Sequence, residues 1–181
     1  MSKDFFYFHF LNKVVEKIEN KWYTDTIILE RKVQPMGSII AKENLRVGVK
    51  AADWREAIRM AGSVLEQAGS ITPEYTESMV KAVEELGPYI VIMPGFAIAH
   101  AAPSPAVHKE DLALITLAEP VSFGSPNDPV NLMLCVACID RESHVRALSA
   151  VAEVLCGDGV MDKLAAAASV EELEAILGEG T

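Results

Sequence analysis

Three apolar runs of strand length limit what this chain can fold into: Tyr89-Ile90-Val91-Ile92-Met93, Leu112 to Leu117, and Leu132 to Ile139. They do not alternate with polar residues as a half-solvated strand would, so each needs cover on both faces. The cover is legible between them. Asp53 can cap a helix whose apolar stripe is Trp54, Ala57, Ile58, Ala61, Val64 and Leu65, with Gly69 past its end. A second helix is predicted after Thr72-Pro73, with Glu74 in its first turn and Gly87-Pro88 closing it. After Asp140 the spacing of Val145, Leu148, Val151, Ala152 and Leu155 predicts a helix from about Ser143 to Leu155. Ser169 with Glu172 predicts a last one that stops at Gly178. Helices alternating with buried strands make an α/β layer protein.

Half of the residues are hydrophobic, which is enough to build one core in 181 residues and argues against disorder. The net charge of −10 disfavours a nucleic-acid surface, which needs clustered Lys and Arg, and an anionic membrane would repel such a chain. The cysteines, Cys135, Cys138 and Cys156, are odd in number and no secretory cleavage pattern precedes them, so reduced thiols in a cytoplasm are expected. No apolar run reaches the ~20 residues that span a bilayer.

Residues 1–35 form a separate compositional unit. They hold seven of the twelve aromatic residues and carry +1, against −11 for the remainder. Leu11, Val14, Val15 and Ile18 have helical spacing. The expectation is an N-terminal extension over 1–35 that packs on the body or on a second subunit, followed by one domain over 36–181. The alternative is that Met36 is the natural start.

Cys135 and Cys138 look like a redox or metal pair, but residues i and i+3 of a strand point to opposite faces, so both are read as small core residues. There is no Gly-rich phosphate loop, no Gly-x-Ser-x-Gly elbow and no His-Glu-x-x-His. The remaining chemistry belongs to histidine. His9 lies in the aromatic extension, and His108 sits in the polar stretch His108-Lys109-Glu110-Asp111. His100 follows a buried strand, a Pro-Gly turn and Phe96-Ala97-Ile98, and is flanked by small residues that leave its ring reachable at a strand end, where α/β folds place chemistry. His144 falls at the start of the helix after Asp140, where free N–H groups and the positive end of the helix dipole favour an anion. By spacing alone the two are either a functional pair or two satisfied structural histidines.

The stretch from Gly87 to His100, continued by Ala101-Ala102-Pro103, resembles the phosphorylation-site region of enzyme IIA proteins of the bacterial phosphoenolpyruvate-dependent sugar phosphotransferase system. It is similar to the mannitol/fructose type, and most like the ascorbate branch. Glu119 to Gly124 with Asn127-Asp128-Pro129-Val130 is similar to that branch's turn, and Asp140 to Leu155 to its second-histidine helix. The similarity runs from about Ile39 to Gly178. It implies a three-layer fold with a mixed, mostly parallel sheet and helices on both faces, His100 as the phosphorylated residue and His144 as the second active-site histidine. It also implies phospho-HPr as donor, a cysteine of a cognate enzyme IIB as acceptor, contact with the membrane only through the transport complex, and neither metal nor organic cofactor. A homodimer fits the same expectation. The alternative from another class is a phosphorylation-sensing regulatory module of the same fold. The chain departs from the family pattern at Ala99, where members usually have Pro, and at Ala102, where ascorbate-type members often have Arg. Residues 73–86 offer Lys81 alone where mannitol-type members use an Arg.

Overall fold

The computed structural model describes residues 40–140, 142–144, 147–148, 151 and 159–179. The expected extension over 1–35, with His9 and the Met36 start, lies outside them, as do Cys156 and part of the expected 143–155 helix.

Among the described residues five strands form one sheet: β1 (Leu45–Val49), β2 (Val91–Met93), β3 (Phe96–Ala99), β4 (Asp111–Val121) and β5 (Val130–Ala137). Their order is β1-β4-β5-β3-β2. β1 runs parallel to β4 and β3 parallel to β5, while β4–β5 and β2–β3 are antiparallel. The mixed sheet of the expectation is present, with its four pairings divided evenly between the two kinds.

Side chains leave the central strands alternately to either face, and two cores result. One holds Ala97, Ala99, Ala113, Ile115, Met133 and Cys135 under α1 (Trp54–Gln67) and α2 (Pro73–Leu86). The other holds Phe96, Ile98, Leu112, Leu114, Leu132, Leu134 and Val136 under Leu148, Val151, α3 (Val160–Ala166) and α4 (Val170–Glu179). Helices therefore cover both faces, and Cys135 and Cys138 are packed in different cores. Neither cysteine is in a disulfide.

The helix signals act as their chemistry requires. The Asp53 carboxylate accepts from Glu56 N–H at 2.9 Å, and Glu56 returns a bond to Ala52 N–H at 2.6 Å, a reciprocal cap. α2 opens on Pro73 and ends at Gly87, whose φ of 80° is open to glycine at little cost. At the last helix Glu172 N–H donates to Ser169 Oγ at 3.2 Å, and the Glu172 carboxylate accepts from Ala168 N–H at 2.8 Å.

Two departures bear on the site. The run expected as a strand covered on both faces from Tyr89 to Met93 is a short edge strand, Val91–Met93, with Ile92 and Met93 half-buried. The reason is Gly95, at φ 80°, which turns the chain straight back so that β2 lies outside β3. Phe96-Ala97-Ile98, read as a short apolar run after a turn, belongs with Ala99 to a fully buried strand beside β5. β1 and α3 carried no signal, since Arg46 and Gly48 interrupt the first and the second is only two turns long.

Candidate functional site

The parallel pairing of β3 with β5 creates the site. Ala99 is in register with Cys135, so His100 leaves the sheet beside the last residues of β5, and the chain beyond β5 turns into a helix at that same edge. Asp140 caps that helix. Its Oδ1 accepts from Ser143 N–H at 2.8 Å, while Ser143 Oγ lies 3.2 Å from Asp140 N–H and 3.0 Å from its carbonyl oxygen. His144 N–H then makes the first turn's bond to the Asp140 carbonyl at 3.2 Å. The cap fixes where His144 stands, and the two imidazole rings come to 5.3 Å between centroids, tilted by 48°.

His100 is 1% exposed and His144 7%, so the ring that its small neighbours were expected to leave reachable is instead buried under the surrounding side chains. Nδ1 of His100 lies 2.7 Å from the Ile98 carbonyl oxygen. A carbonyl can only accept, so Nδ1 carries the hydrogen, and in a neutral ring Nε2 carries the lone pair. The ring is held neutral: burial pushes its pKa down to about 4, the neighbouring His144 pushes the same way, and the Ile98 bond opposes them without prevailing. Burial lowers His144 as well. Two uncharged imidazoles can therefore share one small space.

Two tyrosines close the arrangement. The Tyr89 ring meets the His100 ring edge-on at 5.4 Å, and its hydroxyl donates to the His100 carbonyl at 3.2 Å. From the first turn of α2, the Tyr75 hydroxyl lies 3.1 Å from the carbonyl oxygens of both Ala101 and Val136 and accepts from Ala101 N–H at 3.1 Å. One phenol thus ties the residue after His100 to the end of β5. Neither tyrosine stood out in the sequence. The available signal was chemical: Tyr75 lies on the stripe continued by Met79 and Val83, and a hydroxyl buried with such a stripe must find a partner.

The other histidine that the sequence offered is not in this space. His108 is exposed, with Nδ1 3.3 Å from Gly69 O. Lys81 is exposed on α2 and lies 3.7 Å from Glu85. The Asp128 carboxylate is used structurally, accepting from the N–H groups of Phe123, Gly124 and Ser125 and from Ser122 Oγ, which fixes the turn between β4 and β5.

Residues 38–180 match the phosphoenolpyruvate-dependent sugar phosphotransferase system, EIIA 2, family, and the chain belongs to it; it is a phosphotransferase component of a sugar-transport system. Among its relatives, the ascorbate-specific PTS system EIIA component of Escherichia coli K12 is 33% identical over 108 residues, covering 59% of this chain and 70% of the relative. Among solved structures, the mannitol-specific cryptic phosphotransferase enzyme IIA of Escherichia coli superposes with a TM-score of 0.73 at 27% identity, covering 80% of this chain and 99% of that one. The complex of Escherichia coli mannitol enzyme IIA with phosphorylated enzyme IIB gives 0.68 at 29% identity, covering 76% and 96%. Among the described residues no helix is long and apolar enough to cross a membrane.

Proposed function

We propose that His100 is the phosphoryl carrier, accepting the group from phospho-HPr and passing it to a cysteine of a cognate enzyme IIB in the cytoplasm, for uptake of ascorbate or a related sugar. The observation that supports this reading best is the bond from His100 Nδ1 to the Ile98 carbonyl, because it assigns the lone pair of a neutral ring to Nε2. In the forward step Nε2 attacks phosphorus, the bond from phosphorus to the donor's ring nitrogen breaks, and the electron pair returns to the donor. In the second step a thiolate attacks the same phosphorus and the P–Nε2 bond breaks. Nδ1–H stays on the Ile98 carbonyl through both, so this tautomer needs no proton exchange at Nδ1.

Phosphoryl transfer has a loose transition state, and a protein contributes position and charge stabilisation. His144 is assigned the second role, with the positive end of its helix. Support for enzyme IIB as acceptor comes from the complex formed by the mannitol relative.

Incubation with phosphoenolpyruvate, enzyme I and HPr should give an acid-labile, base-stable phosphate on the protein. The label should be absent in His100→Ala and should form more slowly, by roughly 10- to 100-fold, in His144→Ala. Label of wild-type amount in His100→Ala would overturn the assignment. Onward transfer to enzyme IIB separates a transport carrier from a regulatory module that holds its phosphate.

A further inference from the structure

If His100 must present Nε2 in line with a phosphorus atom, its ring has to be held against rotation about both side-chain torsions. The Ile98 carbonyl fixes one point of the ring. Ile98 is in turn pinned, since its N–H donates to the Ile90 carbonyl at 2.9 Å, from the same turn that carries Tyr89. That turn is itself closed by Val91 N–H on the Pro88 carbonyl at 3.1 Å. Tyr89 then reaches His100 twice, by its hydroxyl on the backbone carbonyl and by its ring edge-on to the imidazole.

Residues 88–91 and His100 are thus linked through Ile90, Ile98, the imidazole and the phenol. A half-turn of the imidazole would exchange its ring atoms and withdraw Nδ1–H from Ile98, and on the way the ring would have to sweep past the Tyr89 ring packed 5.4 Å away. We infer that Tyr89 is a positioning residue for phosphoryl transfer, locking the His100 ring in the Nδ1–H tautomer and in the rotamer that offers Nε2 to the incoming group. The inference rests on His100 being the carrier.

The separation of its two contacts makes it testable. Tyr89→Phe removes the hydroxyl bond and keeps the ring; Tyr89→Leu removes both. Nitrogen-15 NMR of the ¹⁵N-histidine-labelled, unphosphorylated protein reads the tautomer of His100 directly, and rapid-mixing kinetics with phospho-HPr reads the transfer. Tyr89→Leu is expected to give a mixed or inverted His100 tautomer with unchanged far-ultraviolet circular dichroism, and a kcat lowered roughly 100-fold, the scale of a small misplacement of reacting atoms, with KM for phospho-HPr within twofold. Tyr89→Phe, the conservative variant, should recover most of that loss.

The inference is overturned if Tyr89→Leu keeps a pure Nδ1–H tautomer, or if its defect lies in KM alone. It is equally overturned if Phe and Leu behave alike. Should Tyr89→Leu unfold, Tyr89→Met, which also removes the aromatic ring but fills more of its space, decides: a mixed or inverted His100 tautomer supports the lock, and a pure Nδ1–H tautomer ends it. Failure of the carrier assignment would show differently, as absence of label on wild-type His100 while the tautomer measurement stands.

Discussion

At the scale of single residues, burial decides the acid–base state of the site. His100 has an ordinary pKa near 6.5 when unfolded and about 4 when folded, so between those values the unfolded chain binds the extra proton. Stability must then fall as pH drops from 6.5 towards 4, by ~3 kcal/mol in total, and His144 shifts in the same direction. His100→Gln, which cannot titrate, should show a visibly shallower loss of urea-unfolding free energy between pH 7 and 5 than the wild type. Equal slopes would mean that the buried ring is not the source. The Tyr75 hydroxyl makes a second case. In Tyr75→Phe the Ala101 and Val136 groups that it serves lose their partner in a buried place, and the expected cost is ~1–3 kcal/mol by chemical denaturation. A loss below about 0.5 kcal/mol would show that water or a neighbour replaces the phenol.

At the scale of elements, α1 and α2 approach one another through Gly62. A Cβ placed there would stand 2.5 Å from Thr76 Oγ1 and 2.7 Å from its Cγ2, and Thr76 is itself buried. Alanine is the better helix former by about 1 kcal/mol, yet in Gly62→Ala the overlap should win, with a net loss of ~1–3 kcal/mol as the helices separate. Gly62→Ala combined with Thr76→Ala should recover at least about 1 kcal/mol relative to the sum of the single changes, and strict additivity in that cycle would refute the contact as the cause. Across the exposed side of the pair, Arg59 is bidentate to Glu77 at 2.7 and 2.9 Å and Arg55 meets Glu84 at 2.8 Å. Exposed ion pairs of this kind are screened by solvent and contribute little, so the close approach matters more than the charges.

At the scale of the whole molecule, two cores lie on the faces of one sheet, and no strand of β3, β4 or β5 can leave one core without leaving the other. Ile58→Ala in the first core and Leu173→Ala in the second should each cost ~2–5 kcal/mol. Fluorescence and circular dichroism should still trace a single coincident transition in both variants; a core that melted separately would appear as two. The net charge adds a smaller term: self-repulsion at −10 should be screened by salt, raising Tm between low and physiological ionic strength.

The sequence alone determined the elements whose signals are local. Asp53, Gly87 and Ser169 cap or end helices through bonds within a turn of themselves, Pro73 suits a first helical position by its fixed φ, and the apolar runs around Leu114 and Leu134 had to lie in a covered sheet. The motif around His100 also named the family, because its residues are contiguous. What only the tertiary structure decided is pairing. Phe96–Ala99 became an interior strand because Gly95 folds the chain back and β5 offers a parallel edge, an event between segments more than 30 residues apart. That pairing places His100 beside the chain leaving β5, and hence beside His144. Tyr75 and Tyr89 join the site for the same reason. A hydroxyl's need for a partner is written in its chemistry, but the partner, a backbone carbonyl, has no letter in the sequence and is chosen only when the layers close.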